Sequence, residues 1–369
     1  EIMSGESRFA TISSRGATWV LGLLLLLVAA SVWFAVSKPS LQAQPIAIVK
    51  SVQQAQTQEV GGDDIRLYKA IVERMRAGEN YYAVAVEEQR ARGFPTQPFV
   101  TVRLPTLAFV LASLGTMWGH VLEIAIALAA LYVWYQKLAA YKIIQWRRWA
   151  LIALLAAGLS PVVNPKIIYM HEIWAGALIA LSIGLYRPKA WLPSFLIAAC
   201  ALALRELVLP FVLLMAAFAL LQRRWIETGA WSGLILAFFG YMFLHAQGVA
   251  SVVQPNEPSA PSWMLANGPA AALHFLWQSL PLSELPAVLA FPMIIIGLFG
   301  WVCWRTETGL FCLLLLLGYM LAFAITGRPN NFYWGYLVSP LLMMGFIFLG
   351  PGLQDLQAAL KRGGARASE

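Results

Sequence analysis

Charged residues are scarce in this chain. Lys, Arg, Asp and Glu make up 12% of its 369 residues, whereas 60% of the residues are hydrophobic. A typical soluble domain carries about a quarter charged residues, and the mean hydropathy of +0.68 is equally unlike a soluble protein. The composition therefore predicts an all-α integral membrane protein, because a helix satisfies its own backbone polar groups within lipid.

Several chemical motifs are also missing. The chain has no Gly-rich phosphate loop, no CxxC pair and no HExxH sequence, so nucleotide hydrolysis and zinc-protease chemistry have no support. Its three cysteines, Cys200, Cys303 and Cys312, lie inside apolar segments without metal-like or disulfide-like spacing. The net charge of +8 comes from cations spread over short joints, which excludes a nucleic-acid-binding surface.

The chain does contain apolar segments that alternate with polar joints of two kinds. Every second joint is basic. The cations of these basic joints are Arg8, Arg15, Lys137, Lys142, Arg147, Arg148, Arg187, Lys189, Arg223, Arg224, Arg305, Lys361, Arg362 and Arg366. Short basic joints mark the cytoplasmic side of a polytopic membrane protein, so both termini are predicted to be cytoplasmic. The other joints gather acids, His and Asn on the extracytoplasmic face, where we expect the active site.

We expect a single membrane domain, residues 1–369, with about ten transmembrane helices, because each apolar segment approaches the length that crosses a bilayer. The predicted spans are 17–36, 117–136, 149–163, 172–187, 190–204, 207–222, 229–247, 285–304, 309–326 and 333–350. The first is longer than the apolar core of a cleavable signal peptide, so it is predicted to be an uncleaved anchor.

Two extracytoplasmic loops, 37–104 and 248–284, are long. In the first, apolar residues recur at helical spacing from Asp64 to Met75, which predicts an amphipathic helix that lies on the membrane surface. A second helix is predicted over 82–92, and a partly immersed one over 106–114. The second loop is rich in Pro, Ser and Asn, which disfavours regular structure. It is either a lid or substrate loop, or a connector without chemistry.

Two adjacent acids, Asp63 and Asp64, open the amphipathic helix. One carboxylate can cap the helix while the other interacts with its positive end. A carboxylate at the lipid–water boundary can also act as a general base or bind a divalent metal. Both roles stay open here, and if the protein uses a metal cofactor, these two acids are its expected ligands.

Charged pairs interrupt the apolar pattern at two further places. Arg205 and Glu206 break a stretch of about 30 apolar residues, which is too long for one span, so we predict a helical hairpin with this pair at its outward tip. Arg205 is suited to hold a phosphate bidentately, and a structural ion pair is the alternative. His171 and Glu172 open the fourth span, where Glu172 also favours the helix dipole.

Three more cations lie on the predicted outward face, against the positive-inside trend. Arg103 precedes the apolar stretch 106–114, Lys166 lies in a run broken by prolines, and Arg328 begins a turn that contains Tyr333. Cations in these places indicate an anionic ligand; solvated loops are the simpler alternative.

The order and placement of these elements resemble the GT-C superfamily of membrane glycosyltransferases. The similarity rests on a first span followed by Gly62-Asp63-Asp64-Ile65-Arg66-Leu67-Tyr68, then Gly78-Glu79-Asn80-Tyr81-Tyr82 and Arg103-Leu104-Pro105. The start at His171-Glu172 and the tip at Arg205-Glu206 are similar to outward-edge elements of bacterial members. The resemblance covers most of residues 17–222 and is architectural.

The resemblance implies an inverting glycosyltransferase of the bacterial inner membrane. It would take a sugar from a polyprenyl-phosphate donor at the extracytoplasmic face, with a glycan, lipid or protein as acceptor. Asp63 or Asp64 would be the base, and the position in the motif slightly favours Asp63. The residues expected to bind phosphate, sugar or acceptor are Arg103, Lys166, His171, Glu172, Arg205, Glu206, Arg328 and Tyr333.

Two other interpretations stay open. A transporter or lipid flippase would use intramembrane charges for gating or coupling and would not need a long structured outward loop. A membrane acyltransferase built on His171 would have a buried site centred on that residue and would tolerate the loss of Asp63 and Asp64.

Overall fold

The computed structural model describes residues 7–37 and 62–367. It is 79% helical, and the described residues form isolated β-bridges but no strand. The predicted all-α class is therefore confirmed. The α-helices are α1 (Ser14–Ser37), α2 (Gly62–Arg76), α3 (Tyr81–Ala91), α4 (Thr106–Leu114), α5 (Thr116–Ala140), α6 (Gln145–Gly158), α7 (His171–Leu185), α8 (Leu192–Leu204), α9 (Leu209–Leu221), α10 (Trp225–Ala250), α11 (Pro269–Gln278), α12 (Ala287–Cys303), α13 (Glu307–Ile325) and α14 (Ser339–Ala367).

Several of these helices have the length and apolar composition of membrane spans. Among the described residues, α1, α5, α10 and α13 meet both requirements, and α14 forms a fifth candidate with the segment Asn330–Leu337, bent by 60°. The remaining apolar segments, α7, α8 and α12 among them, have only 10–17 residues. Helix lengths thus support four or five spans of an all-α membrane protein.

Each predicted span nevertheless contains an α-helix, and most boundaries differ by a few residues. The largest difference is at the C-terminal end of α14, which continues to Ala367, well beyond the predicted end at residue 350. At two other boundaries a 3-10 helix replaces α-helix. Within the predicted span 149–163 the α-helix ends at Gly158. The start of the predicted span 333–350 lies in the 3-10 helix Pro329–Leu337.

The first long loop contains two of the predicted helices, α2 and α3, and the third, α4, follows it directly; residues 38–61 of the loop lie outside the described residues. The apolar face of α2 packs against α3 and α4, and Leu67 and Val72 are each only 2% exposed. The expectation that this face lies on lipid was therefore wrong. The amphipathic pattern is real, but the protein itself covers the apolar side.

The long apolar stretch 191–221 breaks at Arg205, as predicted. The helices α8 and α9 end and begin on either side of the 3-10 helix Glu206–Val208. They barely touch each other, however, because α8 packs on α7 whereas α9 packs on α10 and α13. The predicted helical hairpin is thus two separated helices joined at a charged break.

The second long loop is more ordered than its composition predicts. Residues 269–278 form α11, whose residues Ala270–Trp277 are all buried against α13 and the 3-10 helix Pro329–Leu337. The composition misled here because the Pro, Ser and Asn residues are concentrated before Gly268, and the apolar residues that follow form a buried helix.

Basic joints meet at one end of the bundle. Arg8 Nε donates to the backbone carbonyl of Val302 at 3.0 Å, and Lys137 Nζ donates to that of Tyr186 at 2.8 Å. Arg224 contacts Glu307 at 3.2 Å. The Tyr141 and Thr308 hydroxyls are also 2.8 Å apart, so these contacts join the first five basic joints at one end of the bundle.

Candidate functional site

A group of charged side chains lies where four parts of the chain meet. We call it the charged cluster, and its members are Asp64, Arg103, Glu172, Arg205 and Glu206. Asp64 comes from the first turn of α2, Arg103 from the segment before α4, Glu172 from the first turn of α7, and the last two from the break between α8 and α9. The sequence predicted all five residues, and the structure brings them together.

Arg103 is held by several groups at once. Its Nε donates to the Tyr68 hydroxyl at 2.8 Å, and its Nη2 donates to the Tyr333 hydroxyl at 3.2 Å. The same Nη2 lies 3.8 Å from Glu172 Oε1, and the Tyr81 hydroxyl donates to the Arg103 backbone carbonyl. These contacts fix the guanidinium at the boundary between α2, α7 and the 3-10 helix Pro329–Leu337.

Arg205 lies deeper, between two acids. Its side chain is 1% exposed, and it pairs with Glu206 through Nη1. Arg205 Nε is 2.8 Å from Glu172 Oε1, but the N–H does not point at the oxygen, so this contact is an ion pair without hydrogen-bond geometry. Glu172 therefore faces two guanidinium groups, and Glu206, with 23% of its side chain exposed, is the outermost acid of the pair.

Asp64 is the carboxylate that faces this arrangement from α2. Burial, the largest effect, raises the pKa of the Asp64 carboxyl; the positive charge of Arg103 opposes the rise, Glu172 adds to it, and a hydrogen bond from Tyr333 opposes it. A carboxylate with a raised pKa holds a proton more tightly than an exposed one and so is better suited to remove a proton near neutral pH.

Asp63 lies on another side of the same helix. It is exposed and pairs with Arg66 one turn along α2, with both side chains more than half exposed. Residues adjacent in a helix point about 100° apart, so only one of the two acids can face the charged cluster. The geometry thus favours Asp64, whereas the motif position slightly favoured Asp63.

His171 lies behind the cluster, beside a small apolar pocket. The pocket is lined by Tyr68, Arg103 and His171 together with aliphatic side chains of α2 and α4. The His171 ring contacts the Tyr68 ring edge-on at 5.3 Å. Neither ring nitrogen makes a hydrogen bond of good geometry among the described residues, although the Tyr169 backbone lies close.

The other predicted residues have different surroundings. Tyr333 is 7% exposed and joins Arg103 to Asp64 through its hydroxyl. Lys166 is exposed on the 3-10 helix Pro165–Ile167. Arg328 is half-buried, and its guanidinium carbon lies 5.0 Å from the centre of the Trp263 ring. Arg328 thus contacts the second long loop, and Lys166 lies on the surface.

Two polar residues of the site were missed by sequence reasoning. Tyr68 binds Arg103, and Asn331 Nδ2 donates to the Tyr333 hydroxyl at 3.3 Å. A signal existed for Tyr68, which lies four residues after Asp64 and therefore on the same face of α2. Asn331 lies in one of the joints that the sequence places on the outward face, but Asn is common in turns, so its type alone did not mark it as a site residue.

A metal ion has no evident ligand set in this site. Asp63 and Asp64 diverge, and within residues 7–37 and 62–367 no group of three or more His, Cys, Asp or Glu side chains could hold a metal. No step below is therefore assigned to a metal.

Comparisons with known proteins add no family assignment. No model of a known protein family matches the chain, and neither the curated proteins nor the solved structures yielded a match. The function of this chain is therefore inferred from its residues and their geometry.

Proposed function

We propose that this protein is an inverting, GT-C-like membrane glycosyltransferase that takes its sugar from a polyprenyl-phosphate donor. In this proposal the ten apolar segments all cross or enter a bacterial inner membrane, both termini are cytoplasmic, and the charged cluster faces the extracytoplasmic side. The acceptor is a hydroxyl or amine of a glycan, lipid or protein. The segregation of basic joints from the charged cluster supports this orientation.

The chemistry would use the two signs of charge in the cluster. The Asp64 carboxylate takes the proton of the acceptor as the acceptor oxygen or nitrogen forms a bond to the anomeric carbon. The bond from that carbon to the phosphate oxygen breaks, and its electron pair leaves with the polyprenyl phosphate. The guanidinium of Arg103, held by Tyr68 and Tyr333, stabilises the negative charge on the departing phosphate.

The observation that carries the proposal is the position of Asp64. It is a partly buried carboxylate with a raised pKa, hydrogen-bonded to Tyr333 and close to Arg103, on a helix in the first outward loop. A transporter would have no evident use for an acid on a surface helix that lies beside a cation from the segment before α4. An acid beside a cation is what transfer from a lipid phosphate requires.

The test compares two adjacent substitutions. Asp64→Asn should fold and insert normally, because Asn is an effective residue near a helix start, but it removes the proton acceptor. Loss of a general base typically costs about 10²–10⁴-fold in rate, so sugar transfer from a polyprenyl-phosphate donor should fall by at least about 10²-fold. Asp63→Asn is the matched control, because it removes an adjacent carboxylate whose exposed side chain pairs with Arg66.

The pH profile gives a second measurement for the same residue. Because burial raises the Asp64 pKa, the carboxylate becomes protonated at a higher pH than an exposed Asp, and kcat/KM should decline on the acid side accordingly. Tyr333→Phe removes a hydrogen bond that lowers this pKa, so the decline should move to higher pH. Near wild-type transfer by Asp64→Asn would remove Asp64 from the mechanism.

A membrane acyltransferase built on His171 is the second candidate, because His171 is 4% exposed and borders the apolar pocket. The same assay separates the two functions. Acyl transfer would be lost in His171→Gln and kept in Asp64→Asn, whereas sugar transfer would show the largest loss in Asp64→Asn.

A further inference from the structure

Residues 254–268 form a segment that we call the strap. It has no regular secondary structure, and none of its side chains is fully buried. The helix that follows it, α11, is in contrast buried from Ala270 to Trp277. The strap can therefore leave its place without exposing the protein core, whereas α11 cannot.

One part of the strap is fastened to the first long loop by Glu257 and by hydrogen bonds to Thr96 and Gln97. Glu257 accepts hydrogen bonds from the Arg90 guanidinium, the Thr96 hydroxyl and the Gln254 backbone N–H. Hydrogen bonding to Arg90, the largest effect, lowers the pKa of Glu257 to about 2, so this acid stays ionised at physiological pH. Beside it, the Ala260 N–H donates to the Gln97 carbonyl at 2.6 Å.

The other part of the strap is fastened to the segment between α13 and α14. The Ala266 N–H donates to the Ile325 carbonyl at 3.0 Å, and the Gly327 N–H donates to the Trp263 carbonyl at 2.7 Å. The Trp263 ring covers the guanidinium of Arg328. Arg328 Nε is buried there and has no hydrogen-bond partner among the described residues.

Hydrogen bonds connect this covered arginine to the charged cluster. The Arg328 N–H donates to Asn331 Oδ1 at 3.0 Å, Asn331 donates to the Tyr333 hydroxyl, and Arg103 donates to that hydroxyl as well. Gln97, which binds the strap, lies only a few residues before Arg103. The strap, the segment 97–103 and the 3-10 helix Pro329–Leu337 thus contact one another in a closed ring. Of these three segments, the strap contributes no buried side chain.

We propose that the strap is a hinged cover over an anion-binding guanidinium at Arg328, with Glu257 as its latch. Opening turns about Gly268, which adopts a φ of +78° and has open space around it. An anionic headgroup entering beneath the strap replaces Trp263 on Arg328 and lies next to the charged cluster. This inference rests on the proposed function for the identity of the anion, a lipid phosphate.

The experiment locks the cover and measures binding directly. Gln97 and Ser259 are partners in a parallel β-bridge, so Gln97→Cys with Ser259→Cys, in a Cys200→Ser background that lacks the exposed native thiol, can be oxidised to a disulfide. The probe is a fluorescent decyl phosphate added to the full-length protein in detergent, and the readout is its association rate by stopped flow. Oxidation should slow association at least about ten-fold, and a reductant should restore it.

Two single substitutions test the latch and the binding group. Glu257→Gln removes the charge-assisted hydrogen bonds of the latch and should speed association several-fold, while Glu284→Gln, an exposed acid outside the strap, should leave the rate unchanged. Arg328→Gln should weaken the equilibrium affinity by about ten-fold, whereas Arg92→Gln, which removes an exposed cation just after α3, should not.

Each outcome decides the inference. Equal association rates in the oxidised and reduced protein, or no binding of the probe in any form, overturn it. A protein that binds the probe in a strap-dependent way but transfers no sugar keeps the strap and refutes the proposed function. Sugar transfer at the full rate by the oxidised protein refutes the strap as a cover and keeps the proposed function.

Discussion

At the scale of single residues, the main feature is the balance of charge around Glu172. This carboxylate lies between Arg103 and Arg205 and is almost fully buried. Taking such charges out of water is costly, and removing one partner of a buried pair leaves the other charge uncompensated. The stability of the protein therefore depends on the ion pairs around Glu172.

Arg205→Ala should destabilise the protein strongly. It leaves Glu172 and Glu206 without their closest cation, and breaking a buried ion pair from one side typically costs about 3–5 kcal/mol. Arg66→Ala removes an exposed pair and should cost less than about 1 kcal/mol. Thermal unfolding of the purified variants in the same detergent measures both, and equal unfolding temperatures for the two would contradict the buried ion pair.

The members of the cluster were predictable as residue types, because charges inside apolar stretches are costly and need a reason. The choice between Asp63 and Asp64 was also present in the sequence. Asp64 shares a helical face with Tyr68, Ile71 and Met75, whereas Asp63 faces the other way beside Arg66. The resemblance drew attention to the motif and away from this periodicity.

At the scale of elements, long apolar runs and the positions of charges predicted where most helices lie, including the break at Arg205. The partners of those helices were not predictable. Nothing in the apolar stretch 191–221 distinguishes a hairpin from two helices that pack on different neighbours, since both bury the same kind of surface. The helical structure of α11 was not predictable for a similar reason, because Pro269 can end a loop or begin a helix.

A glycine in α7 should be essential to the position of Tyr333. A Cβ at Gly176 would lie 2.1 Å from the backbone oxygen of Tyr336, which belongs to the 3-10 helix that carries Tyr333. Gly176→Ala should therefore destabilise the protein by about 1–3 kcal/mol, as overpacking does, and disturb the contact between Tyr333 and Arg103.

The matched control is Gly240→Ala in α10, where an added Cβ meets nothing within 4 Å. Ala favours a helix over Gly, so this change should be neutral or slightly stabilising. Unfolding in detergent compares the two, and equal behaviour of both variants would show that α7 and the 3-10 helix can separate without cost.

At the scale of the whole molecule, the two ends of the bundle differ in composition and in contacts. This difference predicts topology in cells. Ala91→Cys on α3 and Gln357→Cys on α14 place exposed thiols at opposite ends of the bundle, in a Cys200→Ser background. An impermeant maleimide should label position 91 in intact cells and position 357 only after the membrane is opened. The reverse pattern would place the charged cluster in the cytoplasm.

The ring that joins Arg103 to Tyr333 also bears on how the protein is made. Glu172, Arg205 and Glu206 leave the ribosome close together, so their charges can neutralise one another soon after insertion. Tyr333 is synthesised on the order of ten seconds after them at typical rates of synthesis. During that interval Asp64 and Arg103 lack their shared hydroxyl. A nascent chain arrested before this residue would thus display an incomplete polar surface, which is a recognisable target for membrane quality control.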